Sequence, residues 1–329
     1  MRESLFVKQN ADRWKKLEAV LQQKSKASPD EQADLFVQIT DDLGYAKTFY
    51  PESKLVGYLN ELASESHRGI YRNKREESNR IWRFWALELP LQFYRSHRQL
   101  FYSFLIFGLA VFIGALSAAR DPSFVRLILG DSYVNMTLEN INNNDPMAVY
   151  KDMHQVDMFL AITLNNILVS FKAFAYGVFC SIGTVYVLVQ NGVMLGAFQY
   201  FFYEQGLFLT SALTIWIHGT LEISAIIIAG CAGLVMGNSI VFPETYSRLE
   251  SFRRGARQGL IIIVGLVPIF ITAGFLESFI TRQTDMPTWQ KVSIIGASAL
   301  FIIWYFIIYP IVLNQQEQIK KDTLNAIPS

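Results

Sequence analysis

Apolar positions divide the chain into two unlike parts. Over residues 1–98 they recur at helical spacing among charged residues: Trp14, Leu17 and Leu21 follow i, i+3, i+7 within DRWKKLEAVLQQ. DLFVQITDDLGYAKTFY and YLNELASESHRGIY continue that pattern on either side of Pro51. Leu, Phe, Trp and Tyr are too frequent here for a disordered tail, so the pattern predicts a small helical head. From residue 99 the polar positions thin out. A helix needs about 20 mostly apolar residues to cross a bilayer core. LFYSFLIFGLAVFIGALSA (100–118) meets that length without a charge. Residues 158–171 and 174–202 form two more spans with a tight turn near FKAFAYG, and 212–237, 259–280 and 292–313 supply three others. The expected fold is all-α: a polytopic integral membrane protein with six transmembrane helices and an N-terminal cytosolic helical domain. Its expected parts are a head (1–98), a membrane domain (99–313) with an outer loop (119–157), and a cytosolic tail (314–329).

Composition agrees. Of 329 residues, 51% are apolar and 17% are charged, against about 25% charged in a soluble domain. A net charge of +1 gives no reason to expect a nucleic-acid partner. Cys180 and Cys231 both lie in apolar runs, so no disulfide framework, zinc knuckle or CxxC motif is available. The charged start, MRESLFVKQNADRWKKLE, does not read as a cleavable signal peptide. Neither GxxxxGK[ST] nor GxSxG occurs, which removes a phosphate-cradling P-loop and a hydrolase elbow. No cofactor is expected.

Loop charge sets an expected orientation, because Lys and Arg near span ends stay in the cytoplasm. Lys and Arg outnumber acids over residues 67–98. Arg248, Arg253, Arg254 and Arg257 face a single acid, Glu250, in RLESFRRGAR. The other side carries Asp121, Asp131, Asp145, Asp152, Asp157 and Glu139 against Arg120, Arg126 and Lys151. Both termini are therefore expected in the cytoplasm. A loop of that length is expected to fold into short helices on the outer surface. The four arginines set topology first; contact with anionic lipid is a weaker second role.

Polar side chains inside spans are costly, and here they cluster. Asn165 and Asn166 lie in span 2 with Lys172 at its end, Asn191 in span 3, His218 and Glu222 in span 4, and Glu277 late in span 5. His218 and Glu222, at i and i+4, share one helix face. Ala225, Ala229, Gly233 and Gly237 continue that stripe, a ladder that lets another helix approach closely. Gly192, Gly196 and Gly219 are further packing positions. The polar set reads first as interhelical hydrogen-bond glue and second as a proton or ion relay. HxxxE offers two metal ligands at helical spacing, but the sequence names no third, so no metal site is assigned.

Several strings resemble one family. LNNILVSFKAFAYG (164–177), GTVYVLVQNGVMLGAF (183–198) and HGTLEISAIIIAGCAGLVMG (218–237) resemble the consecutive hallmarks of the stage II sporulation protein M family. VGLVPIFITAGFLESFIT (264–281) is similar to its fifth-span motif. RWKKLE (13–18), DLGYAKTFYP (42–51) and YLNELASESHRGIY (58–71) resemble the cytosolic head of its broad, non-sporulation branch. LPLQFYRSHRQ (89–99) departs from the more regular Pro-and-Arg pattern expected before span 1. The resemblance implies a bacterial inner-membrane protein without settled catalytic residues. It also implies a non-enzymatic scaffold or anchor of an envelope-remodelling system, with envelope proteins or a MoxR-type AAA+ ATPase as partners. Homo-oligomers, a dimer first, are expected through the small-residue face. A channel or transporter using the Asn/His/Glu cluster is the alternative, followed by an intramembrane metal-dependent hydrolase.

Overall fold

A computed structural model describes residues 2–21, 29–72, 80–143, 145–148, 154–283 and 286–325. It is helical throughout, with no strand among the described residues. The chain divides into two compact units, residues 1–81 and 82–329.

The first unit is built from α1 (Glu3–Leu21), α2 (Pro29–Phe49) and α3 (Lys54–Arg72). Apolar residues at helical spacing on all three meet in one core: Phe6, Trp14 and Leu17 from α1, Leu35, Ile39 and Leu43 from α2, Leu59 and Leu62 from α3. Among the described residues Asp42 is the one acid buried with them. It accepts from the Trp14 indole at 2.8 Å and from Arg13 at 3.0 Å, which matches a buried carboxylate to two donors. Asp42→Ala leaves a buried indole N–H without a partner, a loss of about 1–3 kcal/mol. Hydrogen exchange of α1 and α2 amides in the full chain is expected to accelerate, while the spans stay protected.

Six helices of the second unit are long and apolar enough to cross a membrane: His97–Arg120, Gln155–Val178, Ile182–Glu204, Phe208–Val241, Arg248–Thr281 and Thr288–Ile319, here spans 1 to 6. The expected count holds; five spans run past both ends of their apolar runs, while span 3 begins at Ile182 rather than at 174. The turn between spans 2 and 3 falls slightly later than FKAFAYG. Cys180 and Ser181 make it, both with positive φ (50° and 70°), a region that side chains seldom occupy. Span 4 is the most buried of the six and span 6 the least.

The boundary between head and membrane unit lies at residue 81 rather than 98. Leu89 and Phe93, on the helix Leu89–Arg95, are buried in the main core of the membrane unit beside Leu266, Phe270 and Phe306. That burial places LPLQFYRSHRQ in the bundle. A π-helical turn at Phe84–Glu88 frees backbone carbonyls, and span 6 satisfies them. Tyr305 Oη donates to the Trp85 carbonyl at 2.6 Å, and Tyr309 Oη to that of Ala86 at 2.8 Å. The last helix runs unbroken from Tyr309 to Asn325, so the segment from 314 begins as helix.

The long loop does contain short helices, Pro122–Leu129 and Asp131–Asn142. Val125, Val134 and Met147 pack against Ala197, Phe201 and Phe202 at the end of span 3. Asp121 caps the first of these helices through the Ser123 hydroxyl (2.7 Å) and amide (2.9 Å), and those bonds hold its carboxyl below the usual range.

Candidate functional site

Span 4 presents His218 and Glu222 on one face because residues four apart stack along a helix. Span 5 meets that face with an altered turn. Its last six residues, Leu276–Thr281, are π-helical, and π-turns re-aim side chains out of the ordinary helical phase. Both Glu277 and Thr281 of this segment reach His218. The Nδ1 atom of His218 lies 3.0 Å from Thr281 Oγ1. Its Nε2 lies 3.8 Å from Glu277 Oε1, and the two side chains are only 5% and 14% exposed. One donor atom each from His218, Glu222 and Glu277 falls within 4.8 Å of the others.

Span 2 closes the third side. Thr163, Asn166, Ser170 and Ala173 form a buried face of small and polar residues, while Leu164, Leu168 and Phe171 are exposed on the opposite surface. The Asn166 side chain faces the Glu222 carboxylate. Asn166 is 4% exposed, yet its Nδ2 makes no close hydrogen bond, and neither does Thr163 Oγ1. Gly274 of span 5 packs directly on that threonine. Three spans therefore converge on a compact cluster of His218, Glu222, Glu277, Thr281 and Asn166. Two carboxylates this close, at this depth, require a proton or a cation between them.

The remaining candidates separate from this cluster. Asn165 and Lys172 are exposed and share a different face of span 2. Asn191 is half-buried and donates to the Val187 carbonyl of its own helix at 2.8 Å. None of the three joins His218 and Glu222, because helix phase turns them elsewhere. Glu277 joins instead; an apolar span carrying a single carboxylate was its signal in the sequence. Ser278 of the same π-turn is fully buried with an unpartnered Oγ.

With the fold and the cluster in place, comparison with known families is decisive. Residues 103–282 match the family described as Stage II sporulation protein M. The chain belongs to that family. Residues 4–72 match a second family, described as a domain of unknown function (DUF8413). No curated protein and no solved structure matches the chain.

In this stage II sporulation protein M family member the small-residue ladder lies inside the protomer. Ala225 and Ala229 are fully buried. A methyl added at Gly233 would run into Thr184 and the Ala173 carbonyl, and one at Gly237 into Ser181. This face is consumed by spans 2 and 3, so it offers no surface for a dimer. Gly192 and Gly196 are contact points between spans 3 and 1. Gly219 is different: an added methyl meets only the Ile215 side chain, at 3.8 Å. It is buried but is not a close-approach position, and Gly219→Ala is expected to leave detergent-stable folding unchanged in a melting assay. Arg248, Arg253, Arg254 and Arg257 are all exposed. Arg254 is already engaged, by Glu250 at 2.9 Å and by stacking 3.8 Å over the Tyr246 ring.

Cavities open among the described residues of the membrane unit, and two of them are sizeable. One of about 620 Å³ is walled by Trp85, Leu221, Pro268, Phe301 and Tyr305. Another of about 770 Å³ is walled mainly by apolar side chains of spans 1, 4 and 6, among them Leu100, Phe104, Ile228 and Phe306. Neither wall includes His218, Glu222, Glu277 or Asn166.

Proposed function

We propose that the chain is a non-catalytic scaffold of the bacterial inner membrane, anchoring an envelope-remodelling or complex-assembly system through its membrane bundle and its head. What supports this reading is the burial of His218 and Asn166 where spans 2, 4 and 5 converge, together with the absence of His218, Glu222, Glu277 and Asn166 from the walls of both sizeable cavities. A transport path would need polar walls and water along its length. Envelope proteins and a MoxR-type AAA+ ATPase system are the partners that family membership suggests. A homo-oligomer would have to use a surface other than the buried ladder.

Reconstitution tests the role. Purified protein in proteoliposomes is expected to pass no protons or small ions above protein-free vesicles, and to copurify from native lipid with a stoichiometric envelope partner. Flux that disappears in Glu222→Gln would replace the scaffold with the channel reading.

The orientation belongs to the same proposal, with both termini in the cytoplasm. Asn143 lies in the acidic loop and Arg254 in the arginine cluster, both exposed. In a Cys180→Ser background, an impermeant thiol reagent added outside is expected to modify Asn143→Cys and to spare Arg254→Cys. The opposite pattern would invert the topology.

A further inference from the structure

We infer that His218, Glu222 and Glu277 form a binding site for one divalent transition-metal ion of the zinc, manganese or iron class. The geometry is that of three inward-facing donors on two helices, brought within 4.8 Å of one another by the π-turn of span 5. A metal held at about 2.1 Å by tetrahedrally arranged nitrogen and oxygen ligands sets its donors about 3.4 Å apart, so the widest pair has to close by up to about 1.4 Å when the ion binds. One imidazole with two carboxylates suits this class of metals rather than a thiolate-seeking one. Charge balance points the same way. Two carboxylates and a dication sum to zero, which removes the cost of burying either acid alone.

The surroundings supply the outer contacts that metal ligands have. Nε2 of His218 faces Glu277, while Nδ1 sits at 3.0 Å from Thr281 Oγ1, where an N–H at Nδ1 donates to that hydroxyl and fixes the ring. Asn166, 4% exposed, aims an amide at Glu222 with its Nδ2 unsatisfied. That donor is placed to take up a carboxylate oxygen of Glu222 when the ligands draw in around an ion. Thr163 Oγ1 is a second buried group without a partner on the same face of span 2. Lys291 donates to Thr214 Oγ1 at 3.5 Å, one turn before His218 on span 4. Three protein donors leave a coordination position open, the arrangement of a site that takes water or a further ligand. The ion-binding role stands apart from the scaffold role: a metal-loaded chain that conducts nothing satisfies both, and each fails on its own measurement.

The test is metal content of the full-length protein, purified in mild detergent without a histidine tag and exposed separately to ZnCl2, MnCl2 and ferrous salt. Wild type and the exposed-site control Asn165→Ala are expected to retain about one ion per chain, and Glu222→Gln and Glu277→Gln to lose at least about tenfold in occupancy while eluting as wild type does. Should those variants fail to fold, wild type alone decides. Chelation is expected to lower its melting temperature, the same salt to restore it, and X-ray absorption to report one imidazole with carboxylate oxygens. Wild type holding no ion above buffer, or Gln variants that keep it, would overturn the site. So would chelation without a change in melting.

Discussion

Gly196→Leu is expected to abolish the folded membrane unit. Spans 1 and 3 touch backbone to backbone, and Gly196 is where they come closest: an added Cβ would strike the Val111 carbonyl and the Ala115 amide nitrogen. Gly192 meets the Phe107 carbonyl and Ala110 in the same way, and Gly114 meets the Val193 backbone from the other side. A flexible side chain can turn away from a new methyl, but a helix backbone cannot. Overpacking a site that still has room to adjust costs about 1–3 kcal/mol, and Leu at a backbone contact exceeds that range. Size-exclusion chromatography in mild detergent is expected to show aggregate in place of a symmetric peak. Gly108→Leu is the control, since nothing lies within 4 Å of a methyl at that exposed position of span 1. A folded Gly196→Leu protein would show that the two spans do not pack as described.

The second large effect concerns Glu222. Glu222→Leu removes the group that Asn166 faces and one of the three donors gathered around His218. Each buried polar partner left unsatisfied costs about 1–3 kcal/mol, so the loss is expected to reach several kcal/mol. Glu222→Gln keeps a hydrogen-bonding amide of the same shape and is expected to fold, with the loss confined to ion binding. Because Glu222 and Glu277 share one proton or cation, either single variant already forfeits it, and the double variant Glu222→Leu/Glu277→Leu is expected to cost less than the sum of its singles. Thermal melts of the four proteins give the coupling directly. Strict additivity would mean that the two carboxylates do not share one site.

Much of this arrangement is legible in the sequence, and the boundary of what is legible has a physical cause. Span number follows from apolar run length, and the His218–Glu222 face from spacing within one helix. Choosing Asn166 over Asn165 depends on helix phase. Asn166 is in step with Thr163, Ser170 and Ala173, a small-residue face suited to close packing, whereas Leu164, Leu168 and Phe171 mark the surface turned away. Glu277 is harder. It stands 55 residues beyond Glu222 (277 − 222 = 55), and an α-helical phase does not describe the π-turn that carries it. Asn191 shows the opposite error: a polar residue in a span satisfied by its own helix, which spacing alone does not distinguish from a member of a cluster. The head boundary moved for a similar reason, since burial of Leu89 and Phe93 is a tertiary fact that charge patterning does not encode.

The scaffold role requires that the bundle close around its polar cluster with no path to it from bulk water. Ser278, fully buried in the π-turn beside Glu277, is the position that reports on it most directly. Cysteine is close to serine in size, and Cys231 is itself fully buried, so Ser278→Cys in a Cys180→Ala background offers one informative thiol. A charged, impermeant thiol reagent applied from either side of native membranes is expected to leave that thiol unmodified until the protein is unfolded. Modification in the folded, membrane-embedded protein would place an aqueous path at the cluster and contradict the closed bundle.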